Sequence, residues 1–300
     1  MGQRLLVITP VRNEADHLEH VARAMAAQTR PPELWLLVDD QSTDATGKIA
    51  EQIADELPFA TAVSSPGHQA HPDARDRLAS AAAPRTFNFG LSRVEWREFT
   101  HIGKLDGDME LPPHYFERLL GRFEADERLG IGGGTYGEVN RGRWRLARNP
   151  NEYHVPGALK LYSRRCLEEI GGIRERLAWD AIDETLARMH GFRTRTFDDL
   201  VAVHHRPWGS ADGTLRGRAR YGASDYIAHV PLYWVGLRSL KFMTARPVVI
   251  SGLAFFYGYA RAALRRTPQA EDRAFRLAVR RELRGRVLQR LAFTSRVAVR

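Results

Sequence analysis

Twice within the first sixty residues a short apolar run gives way to a polar loop and then to a segment of helical periodicity, and this alternation narrows the possible folds more than any other feature. Arg4 to Thr9 reads as a strand that ends in Thr9-Pro10-Val11-Arg12-Asn13-Glu14. Leu18, Val21, Ala22 and Met25 then recur at i, i+3, i+4 and i+7, a helix that Pro31-Pro32 stops. The second unit repeats the pattern: strand Leu34 to Val38, loop Asp39-Asp40-Gln41-Ser42-Thr43-Asp44, and a helix marked by Ile49, Ile53 and Leu57, with a third strand near Phe59 to Val63. Alternating strands and helices imply a parallel sheet with right-handed crossovers. In such a sheet ligands bind at the carboxyl ends of the strands.

A later stretch brings acids to that same edge. The apolar segment Thr100-His101-Ile102-Gly103-Lys104-Leu105 leads into Asp106-Gly107-Asp108, and Pro112-Pro113 opens the next helical pattern. Two carboxylates one residue apart suit a hard cation such as Mg²⁺ or Mn²⁺, which commonly completes its shell with phosphate oxygens. An acidic surface turn would look the same. The loops after the first, second and fourth strands thus carry Arg12 and Glu14, Asp39 and Asp40, and Asp106 and Asp108. One of Ser42, Thr43 or Asp44 is better placed than Asp40 to cap the next helix, which leaves Asp40 free for a ligand.

Several classes fall away. The loop after the first strand has no glycine, which argues against a dinucleotide-binding dehydrogenase. Leu129 to Gly134 reads as a strand ending in Gly132-Gly133-Gly134, where backbone can approach closely, but no phosphate-loop lysine follows. Cys166 is the only cysteine, so no disulfide forms within the chain, and the short opening apolar run does not make a secretory signal. A cytoplasmic location is expected. Ser64 to Pro84 is polar and aperiodic, expected to be a mobile loop over the ligand-binding edge, with His68 and His71 solvated on it and Arg85 just beyond, within reach of a phosphate.

Leu177 to Arg188 places Asp180, Asp183 and Glu184 at the head of a helix ending near His190-Gly191. Acids there are stabilised by the helix dipole. Trp179 beside them is a surface that can shield a carboxylate and raise its pKa toward that of a general base. Val201-Ala202-Val203-His204-His205 puts two imidazoles at a strand end, as metal ligands or as packed turn residues.

Taken in order, Pro-Val-Arg-Asn-Glu, Val38-Asp39-Asp40-Gln41-Ser42-Thr43-Asp44, Leu105-Asp106-Gly107-Asp108 and Gly171-Gly172-Ile173 before an acidic helix start resemble the family 2 nucleotide-sugar glycosyltransferases of GT-A fold. The resemblance covers roughly residues 4 to 210. It implies an α/β domain over residues 1–210, a mostly parallel sheet flanked by helices, with a helical, basic extension over 211–300. It implies an inverting transfer from a nucleotide-sugar donor to a hydroxyl acceptor in polysaccharide or glycolipid assembly, and single-sugar transfer, because no Gln-x-x-Arg-Trp motif is present. The nucleotide is expected against Pro10, Arg12, Glu14, Asp40, Arg85 and Asp106. Asp106 and Asp108 are expected to hold Mn²⁺ or Mg²⁺, with His204 or His205 as a further ligand. Counting back from Gly191 places the catalytic base at Asp180, with Asp183 the alternative. A sugar nucleotidyltransferase would need a glycine-rich loop with arginine after the first strand, and a non-catalytic sugar-nucleotide sensor would keep the acids without turnover.

The formal charge of +9 is uneven: residues 201–300 carry 19 Lys and Arg against 5 Asp and Glu. A nucleic-acid partner would explain that tail but not the acids, so an anionic membrane surface is the expected partner. Pro247 to Ala260 is apolar but stops at Arg261, short of the roughly 20 residues a bilayer span needs. After it Phe275, Val279, Leu283, Val287 and Leu291 recur every four residues beside Arg276, Arg280 and Arg284, a pattern that fits peripheral attachment to the cytoplasmic face or a helix packed on the protein. A lipid-linked sugar acceptor would give such attachment a purpose.

Overall fold

The computed structural model describes residues 2–67, 81–140, 143–147, 151–206, 213–271 and 273–297. The chain forms two compact units, Met1–Pro207 and Trp208–Arg300.

The first unit begins as its alternation requires: β1 (Leu5–Val11), α1 (Leu18–Ala26), β2 (Leu34–Asp39), α2 (Thr46–Glu56), β3 (Ala60–Ser64) and α3 (Ala82–Leu91). After a 3-10 turn at Trp96–Glu98 come β4 (His101–Leu105), β5 (Met109–Glu110) and α4 (Tyr115–Ala125). The remainder is β6 (Leu129–Asn140), β7 (Arg143–Leu146), β8 (Leu159–Ser163), α5 (Arg164–Glu169), α6 (Trp179–Met189) and β9 (Arg193–His204). The sheet runs β3-β2-β1-β4-β8-β6-β9-β5, with β7 beside β6. β3, β2, β1 and β4 are parallel neighbours. Beyond them the sheet is mixed, since β8 lies antiparallel to both β4 and β6 while β9 is parallel to β6.

Strand alternation divides the core into two layers. Leu5, Val7, Trp35 and Leu37 share a cluster with Leu18 and Val21 of α1, Ile53 of α2, and Phe116 and Leu119 of α4. Ile8, Leu36 and Val38 point the other way, where Gly90 of α3 comes close enough that a Cβ would meet Val38 at 2.7 Å. Strands buried on both faces read as continuous apolar runs, which is why β1 and β2 were legible. The glycines of β6 serve close approach: a Cβ on Gly134 would lie 2.1 Å from the Leu200 carbonyl, and its N–H donates to the Tyr115 hydroxyl at 2.8 Å.

The expected loop over Ser64 to Pro84 is shorter at both ends, because Ser64 closes β3 and Pro84 lies in the first turn of α3, where its fixed φ and missing N–H cost nothing. Its centre, with His68 and His71, lies outside the described residues.

His101 is buried at the start of β4 against Phe123, and burial pushes its imidazole down to about 4. The folded state therefore binds fewer protons than the unfolded chain between about pH 6.5 and 4. Stability from this residue is complete above the unfolded pKa and is lost as pH falls through that window, by up to about 3 kcal/mol. His101→Gln is expected to flatten the dependence of melting temperature on pH between 6.5 and 4. An unchanged slope would remove His101 as its source.

The second unit is helical: α7 (Thr214–Ile227), α8 (Leu232–Met243), α9 (Ile250–Leu264) and α10 (Arg273–Val297). α7 and α9 touch backbone to backbone, since a Cβ on Gly258 would meet the Ala219 carbonyl at 1.8 Å. Asp225 is buried between them and Arg238, which donates to both carboxylate oxygens at 2.6 and 2.7 Å. Of the two readings of the apolar stripe on α10, lipid-facing or packed on the protein, its first positions take the second: Phe275, Val279 and Leu283 are all buried. Val287 and Leu291 have no described side-chain surroundings. Most of the large apolar residues left exposed belong to α8, α9 and their connection, among them Leu232, Leu237, Leu240, Val248, Val249, Ile250, Leu253, Phe256 and Tyr257, with Leu215 and Tyr221 on α7 and Leu277 on α10 besides. No helix among the described residues is long and apolar enough to cross a membrane.

Candidate active site

Because β1, β2 and β4 are parallel, Val11, Asp39 and Leu105 finish on one edge, and the loops that follow them pack together. The Asp40 N–H donates to the Val11 carbonyl at 2.9 Å, and Arg12 reaches across to donate to the Asp40 carbonyl at 2.6 Å. Pro10 lies within β1, opposite Val38. Asp44 is the residue that satisfies the start of α2, accepting from the Thr46 N–H at 3.0 Å. Asp39 accepts from the N–H and the hydroxyl of Ser42. Asp40 takes no part in starting α2, and its buried carboxylate accepts from the Ser65 hydroxyl at 2.9 Å. A ligand at this edge would meet an Asp40 already held in one orientation.

Gly107 explains why the two later acids are separated by glycine. A Cβ there would stand 2.8 Å from Val11 Cγ1 and 3.3 Å from Glu14 Cγ, so the acidic loop can close on the first loop only without a side chain. That closure brings Glu14 near Asp108 and Asp106. Burial, then the charge of Asp108, push Glu14 up to about 8, against the opposing Arg206, whose guanidinium lies 2.7 Å away.

The two acids have different partners. Asp108 is buried and lies 3.2 Å from His204 Nε2. Burial opposes its charge, but the hydrogen bond and charge of His204, with Arg206, hold its carboxyl below the usual range. His204 is correspondingly raised: burial opposes its charge, and Asp108 outweighs it. The remaining ring nitrogen of His204, Nδ1, is buried without a hydrogen-bond partner. Two carboxylates on one loop, with an imidazole whose Nε2 faces Asp108, are ligand types that a divalent cation takes. His205 is directed elsewhere, its Nε2 2.8 Å from Glu110, so the structure separates the two histidines that the sequence left as equivalents.

Asp106 is paired with Lys104, and this pair leads to the second half of the site. Lys104 on β4 lies directly opposite Lys160 on β8, with both side chains buried. Like charges across a strand pair repel. They are accommodated because each ammonium has its own acceptors and both lie over Trp179, 5.3 and 5.4 Å from its ring centre. Lys104 donates to Asp106 and, at 2.9 Å, to the Gly157 carbonyl. Lys160 donates to Asp183 at 2.8 Å and to the Asp180 carbonyl at 2.5 Å, and lies 3.0 Å from Glu184. Sequence reading missed both lysines, although a lysine amid the apolar residues of a buried strand signals a paired internal charge.

These contacts distinguish the acids of α6. Asp183 is fully buried, bonded to Lys160 and to the Tyr162 hydroxyl. Burial raises its carboxyl against Lys160, and Glu184 adds to the rise. Glu184 accepts from the Val155 N–H at 2.8 Å and meets His154. It is buried, yet the charges of Lys160 and His154 lower it to about 2. Asp180 is half-buried in the first turn beside Trp179, and among the described residues its carboxylate meets no hydrogen-bond or ion-pair partner. Arg85, on α3, makes no hydrogen bond to any of these residues, and its Nε is buried without a partner.

Comparison with known proteins bears on the fold and the family. The chain is 29% identical over 186 residues to the polyprenol monophosphomannose synthase of Mycolicibacterium smegmatis, covering 56% of this chain and 64% of that protein, just under two thirds of its length. Among solved structures it resembles the mannosyltransferase PcManGT from Pyrobaculum calidifontis, determined with GDP-Man and Mn²⁺, at a TM-score of 0.57 and 17% identity over 96% of this chain and 81% of that one. It also resembles a TarS fragment from S. aureus bound to UDP, at a TM-score of 0.53 and 14% identity over 88% and 72% of the two chains. These likenesses extend the GT-A fold to this chain. The model for glycosyl transferase family 2 matches residues 6–177, more than half of the sequence, and the chain belongs to that family.

Proposed function

We propose that this protein transfers a sugar from a nucleotide-sugar donor to a hydroxyl acceptor with inversion, in glycolipid or polysaccharide assembly. The observation that carries the reading is the convergence of Asp40, Asp106 and Asp108 on one sheet edge, with Asp180, whose carboxylate has no hydrogen-bond or ion-pair partner among the described residues, reached from it through Lys104 and Trp179. The nucleotide lies against Pro10, Arg12, Glu14, Asp40 and Asp106, and Asp106 and Asp108 with His204 hold a divalent cation, Mn²⁺ or Mg²⁺. Bound there, such an ion supplies charge neutralisation for the departing nucleoside diphosphate, worth several kcal/mol. Asp180 takes the proton of the acceptor hydroxyl as its oxygen attacks the anomeric carbon, help typically worth about 10² to 10⁴ in rate. Asp183 and Glu184 act through Lys160, fixing the start of α6 and hence Asp180.

A second acceptor class is favoured by the mycobacterial relative, whose name denotes mannose on a polyprenol phosphate. A phosphate oxygen is already ionised near neutral pH and needs no base. The two are separated by offering a sugar nucleotide with either polyprenyl phosphate or a hydroxyl-terminated glycolipid, and measuring transfer by wild type and Asp180→Asn. Transfer to the hydroxyl acceptor that depends on Asp180 supports the first reading. Transfer to the phosphate alone, indifferent to Asp180, replaces it with the second.

A lipid-linked acceptor agrees with the second unit, which we propose rests on the anionic cytoplasmic face of a membrane without crossing it. The apolar residues exposed on α8 and α9 lie among Lys241, Arg246, Arg261, Arg265 and Arg266, all exposed. Apolar side chains with flanking cations suit an interfacial element, each cation near anionic lipid contributing about 1 kcal/mol. Leu240→Glu with Leu253→Glu, both exposed positions, is expected to abolish co-sedimentation with anionic vesicles while leaving the melting temperature unchanged. Binding that survives the pair, or that is indifferent to lipid charge and salt, would rule this face out.

A further inference from the structure

Next to the acidic loop, where the His205 N–H meets the Asp108 carbonyl, the fold gathers imidazoles from two distant segments. His17 precedes the first residue of α1 and His20 lies within its first turn, three residues on and therefore on one side of the helix. β5 pairs antiparallel with β9, Met109 opposite His204 and Glu110 opposite Val203, so the residue after β9, His205, returns alongside Glu110. His205 is fixed there by its N–H, which donates to the Asp108 carbonyl at 3.0 Å. Its ring lies 5.1 Å from that of His20 and stacks on that of His17 at 5.7 Å, and its Nε2 is 2.8 Å from Glu110 Oε2. One ligand atom from each of His20, Glu110 and His205 lies within 4.8 Å of the others, the one such group of histidine, cysteine and carboxylate found among the described residues.

We propose that His20, Glu110 and His205 form a second divalent-cation site, distinct from the oxygen-rich one at Asp106 and Asp108 and suited to Zn²⁺. Two imidazoles and one carboxylate are ligands that Zn²⁺ takes with an open fourth position, at about 2.0–2.2 Å from the metal. Ligand atoms around such a centre stand roughly 3.3 Å apart, so the site closes by small rotations of His20, which is exposed, and Glu110, which is half-buried. The surrounding charges are mixed. Asp108 and Asp16 are near His17 and favour a cation, Arg206 opposes it but is already paired with Glu14, and Arg23 contacts His20 itself. A cation here would tie the start of α1 to the end of β9, next to His204 and so next to Asp108, whether or not the protein transfers sugars.

The Arg23 contact gives the inference a sharp test. A guanidinium only donates, so its Nη2, 3.1 Å from His20 Nδ1, requires that nitrogen to be an acceptor. A metal at Nδ1 displaces Arg23, and a metal at Nε2 forces the proton onto Nδ1 and breaks the same contact. Either way Arg23 competes with the metal, and Arg23→Ala should tighten binding.

The experiment is calorimetric titration of the chelator-treated full chain with Zn²⁺, on an Asp108→Asn background to remove binding at the acidic loop. One Zn²⁺ should bind to that variant. Adding His20→Ala or Glu110→Gln should weaken it by about tenfold or more, and adding Arg23→Ala should strengthen it. Melting curves without metal check that each variant folds. Absence of Zn²⁺ binding in Asp108→Asn alone, or affinity unchanged by both His20→Ala and Glu110→Gln, would overturn the site.

Discussion

Asp180→Asn is expected to lower kcat for a hydroxyl acceptor by about 10² or more while leaving affinity for the nucleotide nearly unchanged. The amide keeps the shape of the side chain and cannot take a proton. Little else should move, because among the described residues the carboxylate makes no hydrogen bond or ion pair to lose, its charge acts only as a lesser influence on Lys160 and His154, and Lys160 binds the Asp180 backbone carbonyl, which the substitution retains. Asp183→Asn should behave differently. It takes a charge from beside buried Lys160, so its cost should show first in melting temperature, with activity falling through displacement of α6. Normal turnover by Asp180→Asn, with loss of activity but not of stability in Asp183→Asn, would exchange the two roles.

Lys160→Met is expected to destabilise the protein by about 3–5 kcal/mol, the usual cost of removing one partner from a buried ion pair. Asp183 and Glu184 would then lie side by side without the ammonium between them. Adding Asp183→Asn should recover part of the loss, since it removes one of the two stranded charges. Denaturant unfolding of the single and double variants measures this directly. A double variant no more stable than Lys160→Met would mean that Glu184, not Asp183, is the partner that matters.

The parallel half of the sheet was readable because β1 and β2 are buried on both faces, and because Pro31-Pro32 and the Asp39 to Asp44 loop punctuate them. The antiparallel insertion of β8 was not, since strand pairing between β4 and β8 is set by tertiary packing rather than by local pattern. Asp106, Asp108 and the α6 acids were marked by spacing. What separates them is long-range: Asp180 from Asp183 by Lys160, and His204 from His205 by Asp108 and Glu110, partners that no local spacing reveals. In the second unit the periodicity of α10 identified a real apolar stripe and left lipid and protein as alternative covers for it; its first three positions are covered by protein. Periodicity reports that one face is buried and is silent on what buries it.

The central claim is that the acidic edge binds a sugar nucleotide for metal-assisted transfer. It is tested most directly by following release of nucleoside diphosphate from a panel of sugar nucleotides, with and without Mn²⁺, by wild type and Asp108→Ala side by side. The account predicts release from at least one donor that requires Mn²⁺ or Mg²⁺ and is abolished by Asp108→Ala, with the variant still folded. Release that is equal in the two proteins, or equal with and without metal, would contradict it.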